Sequence, residues 1–107
     1  MDNGGGRIRG VYLPVRYAAL AEHLREWLAP LRDLEATVIP IGTPSGSDHV
    51  NFYNADLPGM MFAQDPLDYS SRTRHSNLDL FDRLHKEDMQ QAATVVSAIL
   101  WQASMQP

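Results

Sequence analysis

The feature that most limits what this chain can fold into is its last long apolar stretch. From Lys86 to Met105 the apolar residues recur at three- and four-residue steps, and they do so along two strips. Met89, Ala92, Ala93, Val96, Ile99, Leu100 and Ala103 form one face, and Val95, Ala98, Trp101 and Met105 form another. That pattern predicts a helix buried on more than one side. Glu87 and Asp88 fall in its first turn, where acids suit the positive end of the helix dipole. A chain of 107 residues reads as one small domain, residues 1–107, with a core but little apolar surface to spare. A helix covered on two sides therefore needs a sheet against it and something else besides.

The segments before it supply the sheet. Residues 2–6 are a glycine-rich, flexible lead, abrupt enough to suit a chain that begins in the middle of something larger. Ile8-Arg9-Gly10-Val11-Tyr12-Leu13 alternates apolar with small or polar residues, which predicts a strand, and Pro14 ends it. From Val15 to about Leu34, the residues Leu20, Leu24, Trp27, Leu28 and Leu31 make one stripe of an amphipathic helix. Pro30 should bend or stop that helix. Thr37-Val38-Ile39-Pro40-Ile41 predicts a second strand, set near a sheet edge or strand end by Pro40. Leu57 to Ala63 does not alternate and predicts a third strand buried on both faces. Residues 65–83 are polar and without a period, the kind of long loop that is usually functional or mobile. The order β-α-β-loop-β-α predicts an α/β fold: a small three-stranded parallel or mixed sheet with two main helices. Much sheet surface would stay bare, so a second copy is expected to complete the fold by oligomerisation.

Composition excludes several function classes. Lys and Arg number 9 against 13 Asp and Glu, a net charge of −4. That balance argues against nucleic acid, whose binders carry a basic face. No apolar run approaches the about 20 residues that span a bilayer, and the start lacks the apolar centre of a signal peptide. The chain as written is expected in the cytoplasm; cut from a longer secreted protein, it would have left its signal behind. With no cysteine, a metal must be held by His and carboxylate.

The stretch from Gly46 to Asp68 gathers the residues that could carry chemistry. Asp48 and His49 sit among small and polar neighbours. A neutral imidazole on a loop at a strand end can ligate zinc when a second group orients it; the ordinary alternative is a loop His bonded to the backbone. Asp48 can orient that ring or reach a metal, or simply accept backbone hydrogen bonds in a turn. His23 and His85 read as solvated. Gly4-Gly5-Gly6 follows no strand and is no phosphate loop. In Gly42-Thr43-Pro44-Ser45-Gly46 the serine is one place late for a nucleophile elbow.

Four pieces give the chain a family likeness. They are Asp2-Asn3-Gly4 through Arg9-Gly10-Val11-Tyr12-Leu13; Ser47-Asp48-His49 with Phe52; Ala55-Asp56-Leu57-Pro58-Gly59; and Gln64-Asp65-Pro66-Leu67-Asp68-Tyr69 with Arg72-Thr73-Arg74-His75-Ser76-Asn77-Leu78-Asp79. In this order they resemble the C-terminal portion of bacterial di-zinc aminopeptidases, the metallopeptidase family that includes plasma glutamate carboxypeptidase. The likeness covers most of this chain but only about the last third of such a catalytic domain. It implies zinc as the cofactor and His49 as a zinc ligand. It implies that His75, Ser76 and Asp79 border the substrate pocket, with Arg74 where related sequences often carry a second His. Tyr69 is then a candidate donor to a developing oxyanion. The alternative for these residues is a satisfied polar loop. The family's other metal ligands and its Glu base belong to the part upstream of this likeness, and one imidazole cannot hold a catalytic zinc that takes about three protein ligands.

Three accounts of function follow. In the first, the chain is a truncated hydrolase lobe whose site, built around His49 with Asp48, or with His75 and Asp79, forms at an interface between copies and acts on a small molecule or peptide. In the second it is an inactive oligomerising module that uses the last helix. In the third it is a metal-free hydrolase with Ser76 or Ser47 beside a His.

Overall fold

The computed structural model describes residues 3–106. Met1, Asp2 and Pro107 lie outside the described residues, and with them the first residue of the family-like lead. The architecture mixes helix and strand, as the sequence predicts. The chain divides into two compact units, residues 9–63 and residues 3–8 with 64–106, and each is described by itself. Among the described residues the sheet has two strands, β1 (Ile8–Val11) and β2 (Phe62–Gln64). They run antiparallel: the Tyr12 N–H donates to the Met61 carbonyl (2.8 Å) and the Asp65 N–H to the Arg7 carbonyl (2.9 Å).

In the unit of residues 9–63, a 3₁₀ segment Val15–Leu20 leads into α1 (Ala21–Leu28), and a second 3₁₀ segment Ala29–Leu34 follows. The expected leucine stripe is the core of this unit: Leu24, Leu28 and Leu31 are buried with Val11, Leu13, Ala36 and Met61. Pro30 marks the change from α to 3₁₀ winding, because its ring cannot donate an N–H to the preceding turn. Glu35 closes the helical run in the left-handed region (φ 57°).

Two sheet expectations need correction. The second expected strand, Thr37–Ile41, is reduced to isolated parallel bridges of Gly10 with Val38 and of Leu13 with Ile41. Pro40 lies between them. It accepts a bond from the Leu13 N–H (2.9 Å) but has none to donate, so a continuous ladder cannot form. Gly10 lets the two stretches approach, since a Cβ there would land on the Val38 backbone. The third expected strand shrinks to Phe62–Gln64, after the break imposed by Pro58-Gly59. Its burial alternates: Met61 and Ala63 point inward, Phe62 and Gln64 are half-exposed.

In the other unit, α3 (Lys86–Ser104) is the dominant element. It buries Gln91, Ala92 and Val95. Gln91, only 6% exposed, serves the edge of Ile8 with both ends of its amide. The Ile8 N–H donates to Gln91 Oε1 (2.9 Å) and Gln91 Nε2 donates to the Ile8 carbonyl (2.7 Å). A buried amide so paired carries no desolvation penalty for unmade bonds. Arg7 Nε bonds Asp88 Oδ1 (2.9 Å) at the helix start, and Gln64 Nε2 donates to the Gly4 and Gly6 carbonyls (3.1 and 3.0 Å). The expectation that α3 is buried on more than one side is also corrected. Leu100, Trp101 and Met105, 64–67% exposed, stand on its open face.

Candidate functional site

His49 is the first residue of a short helix, α2 (His49–Asn54), rather than part of a loop. Ser47 and Asp48 start it: their carbonyls accept from the Val50 and Asn51 N–H groups (3.1 and 3.0 Å). Asp48 occupies the cap position, yet its side chain is exposed and makes no capping bond. The helix is fixed from two sides. Gly59 passes so close that a Cβ would land on the His49 carbonyl oxygen, so no other residue fits there. The Tyr17 hydroxyl donates to the Leu57 carbonyl (2.7 Å), and its ring meets Tyr53 edge to face at 5.9 Å. Arg16 lies 4.4 Å from the Tyr53 ring centre and bonds the Tyr53 carbonyl (3.1 Å) and Asp56 Oδ1 (2.7 Å). Its pKa is raised, first by a hydrogen bond with Tyr17 and then by Tyr53 and Asp56.

The half-buried His49 ring points one nitrogen at the chain. Nε2 lies 2.6 Å from the Pro44 carbonyl oxygen. A carbonyl oxygen can only accept, so Nε2 carries a proton, and in the neutral tautomer that makes this contact Nδ1 keeps its lone pair. Nδ1 makes no hydrogen bond with any described residue. A histidine held through one N–H by a backbone carbonyl, with the other nitrogen free, has the orientation usual for a metal ligand. Among the described residues, however, no group of three or more His, Cys, Asp or Glu could hold a metal ion.

The other candidates belong to the unit with α3. Tyr69 opens a single π-helical turn, Tyr69–Thr73. Its half-buried ring rests on Gly4, where a Cβ would strike the Tyr69 Cβ and Cγ. His75 adopts a left-handed backbone (φ 55°) and is exposed. Ser76 closes the turn: Oγ donates to the Thr73 carbonyl (2.7 Å) and accepts from the Leu78 N–H (3.2 Å). Asp79 follows, its N–H on the Ser76 carbonyl (3.3 Å) and its side chain exposed. The His-Ser-x-x-Asp segment is thus a turn closed by local hydrogen bonds that leaves both His75 and Asp79 facing solvent.

Sequence reasoning missed what positions His49, namely Pro44 and Gly59. For Gly59 a signal was present, a glycine directly after Leu57-Pro58; for the Pro44 carbonyl there was none. It also missed an apolar cleft of about 560 Å³ lined by Phe81, Leu84, Lys86, Met89, Gln90 and Ala93. The spacing Leu78-x-Leu80-Phe81-x-x-Leu84 within a nominally polar loop was the available sign. No helix among the described residues is long and apolar enough to cross a membrane. No protein-family model, curated protein or solved structure matches the chain.

Proposed function

We propose that this chain is a lobe of a zinc-aminopeptidase-like hydrolase, completed when other copies bring their groups to His49. The observation that carries this reading is the His49 ring, whose Nε2–H is tied to the Pro44 carbonyl and whose Nδ1 meets no partner among the described residues. That arrangement fixes tautomer and direction before any ligand arrives, which is what a ligating imidazole needs. Among the described residues no three His, Cys, Asp or Glu gather around that ring, and symmetric association is the simplest way to multiply one imidazole. Asp48, exposed and next to His49 in the chain, would join such a site from a neighbouring copy. Tyr69, His75 and Asp79 are the side chains offered to a peptide or other small acyl substrate.

The test is metal analysis of the purified protein together with hydrolysis of aminoacyl reporter substrates, before and after chelation. The reading expects bound zinc at a stoichiometry below one per chain, turnover lost on chelation, and both absent in His49→Ala. Turnover that survives chelation and His49→Ala contradicts it. A second reading, that the chain acts only by associating, is favoured by the exposed Leu100, Trp101 and Met105 of α3. It expects oligomers with neither zinc nor turnover.

A further inference from the structure

We infer that α3 pairs antiparallel with α3 of a second copy, each placing Trp101 into the apolar cleft of the other. The inference rests on the reading that copies associate, and it names the surface. Successive residues of an α-helix turn by about 100°, so Lys86, Gln90, Ala93, Ser97, Leu100, Trp101 and Ser104 fall on one face, opposite the buried Gln91 and Val95. All seven are exposed. The N-terminal half of that face, with Phe81 and Leu84, lines the cleft of about 560 Å³. The C-terminal half carries the large protruding side chains, Leu100 and Trp101. Hollow and protrusion thus lie at opposite ends of one helix, and a two-fold axis between them satisfies both at once.

The register follows from the small residues. An axis midway between Ala93 and Ser97 sets Ala93 against the partner's Ser97, where both side chains are short enough for the helices to approach closely. The same axis sets Leu100 over the partner's Gln90 and Trp101 over the partner's Met89. Met89 is a wall of the cleft, and a flexible thioether against an indole ring is a favourable contact.

Charge selects a second copy over a foreign partner. From Met89 to Gln106 no residue is charged, so two copies of a chain with net charge −4 meet there without like charges opposed. The cleft has one charged lining residue, Lys86, for which no ion pair with a described residue exists. The last turn of α3 holds no basic residue to balance its carbonyls. The antiparallel arrangement brings each Lys86 beside the partner's α3 C-terminus, so the ammonium meets the negative end of the dipole.

The experiment is mass by sedimentation over a range of protein concentrations, with helical content checked by circular dichroism. Wild type is expected to reach twice the chain mass. Trp101→Glu and Ser97→Arg, both at exposed positions, are expected to remain at the chain mass with unchanged helical content. Val15→Glu, an exposed apolar position outside this unit, is expected to dimerise like wild type. A monomeric wild type at every concentration overturns the inference. So does a Trp101→Glu protein that dimerises as wild type does, or a Val15→Glu change that breaks the dimer equally. The metal measurement separates the two proposals. A dimer that depends on Trp101 but binds no zinc removes the His49 reading alone, and zinc-bearing assemblies unaffected by Trp101→Glu remove this interface alone.

Discussion

Two of the histidine-bearing segments, 44–59 and 68–79, differ in how the backbone treats the ring. His49 opens a helix, donates to Pro44 and sits against Gly59. His75 follows a π-helical turn, stands in a left-handed conformation and faces water. One ring is held before any ligand arrives, while the other is carried on a turn that satisfies itself without it. The difference teaches that a histidine in a polar, turn-rich stretch can mean two things. At His49 the surrounding residues constrain a side chain, and at His75 they constrain only the path of the chain.

Substitutions can break or sharpen this contrast. The largest effect is expected at Gly59. Gly59→Val drives methyl groups into the His49 carbonyl and the start of α2, and should cost about 3 kcal/mol in urea-induced unfolding. A loss below about 1 kcal/mol would mean that α2 is free to move and that His49 is not pinned. Next is His49→Ala, which removes one part-buried hydrogen bond and should cost about 1 kcal/mol. At the other segment, His75→Gly is expected to stabilise by about 0.5 kcal/mol. The left-handed conformation costs a non-glycine residue about 1–2 kcal/mol, and the added backbone entropy of glycine returns part of that. The smallest effect is expected at the ion pair of Arg83 with Asp68, 3.3 Å apart and open to solvent. Asp68→Asn should change stability by no more than about 0.5 kcal/mol, and less at high salt.

Much of the helical framework was legible in the sequence. Leu24, Leu28 and Leu31 announce their buried stripe because burial on one side leaves a 3.6-residue period. The α3 span was equally plain, but its partners were not. Apolar periodicity reports a face that avoids water, and cannot say whether the chain itself supplies the cover. Gln91 shows the converse. It is a polar residue at a buried position, and only the presence of the Ile8 edge explains it. The sheet was overread for a backbone reason: Val38, Ile39 and Ile41 favour strand, but Pro40 withholds the N–H that a ladder needs. Around His49 the Ser47-Asp48 pair is a helix-start signal that the turn-rich neighbourhood outweighed. The bond to Pro44 was beyond reach because no residue pattern specifies which carbonyl a ring will meet.

The account turns on the His49 ring, and nitrogen NMR of the labelled protein addresses it directly. The prediction is a neutral Nε2–H tautomer in the free protein, with Nε2–H protected from exchange. On addition of zinc, His49 Nδ1 should shift selectively while Nε2 keeps its proton, and the His75 ring should stay at its solvent-exposed values. A ring protonated at Nδ1, or one whose nitrogens ignore zinc while His75 responds, contradicts the account.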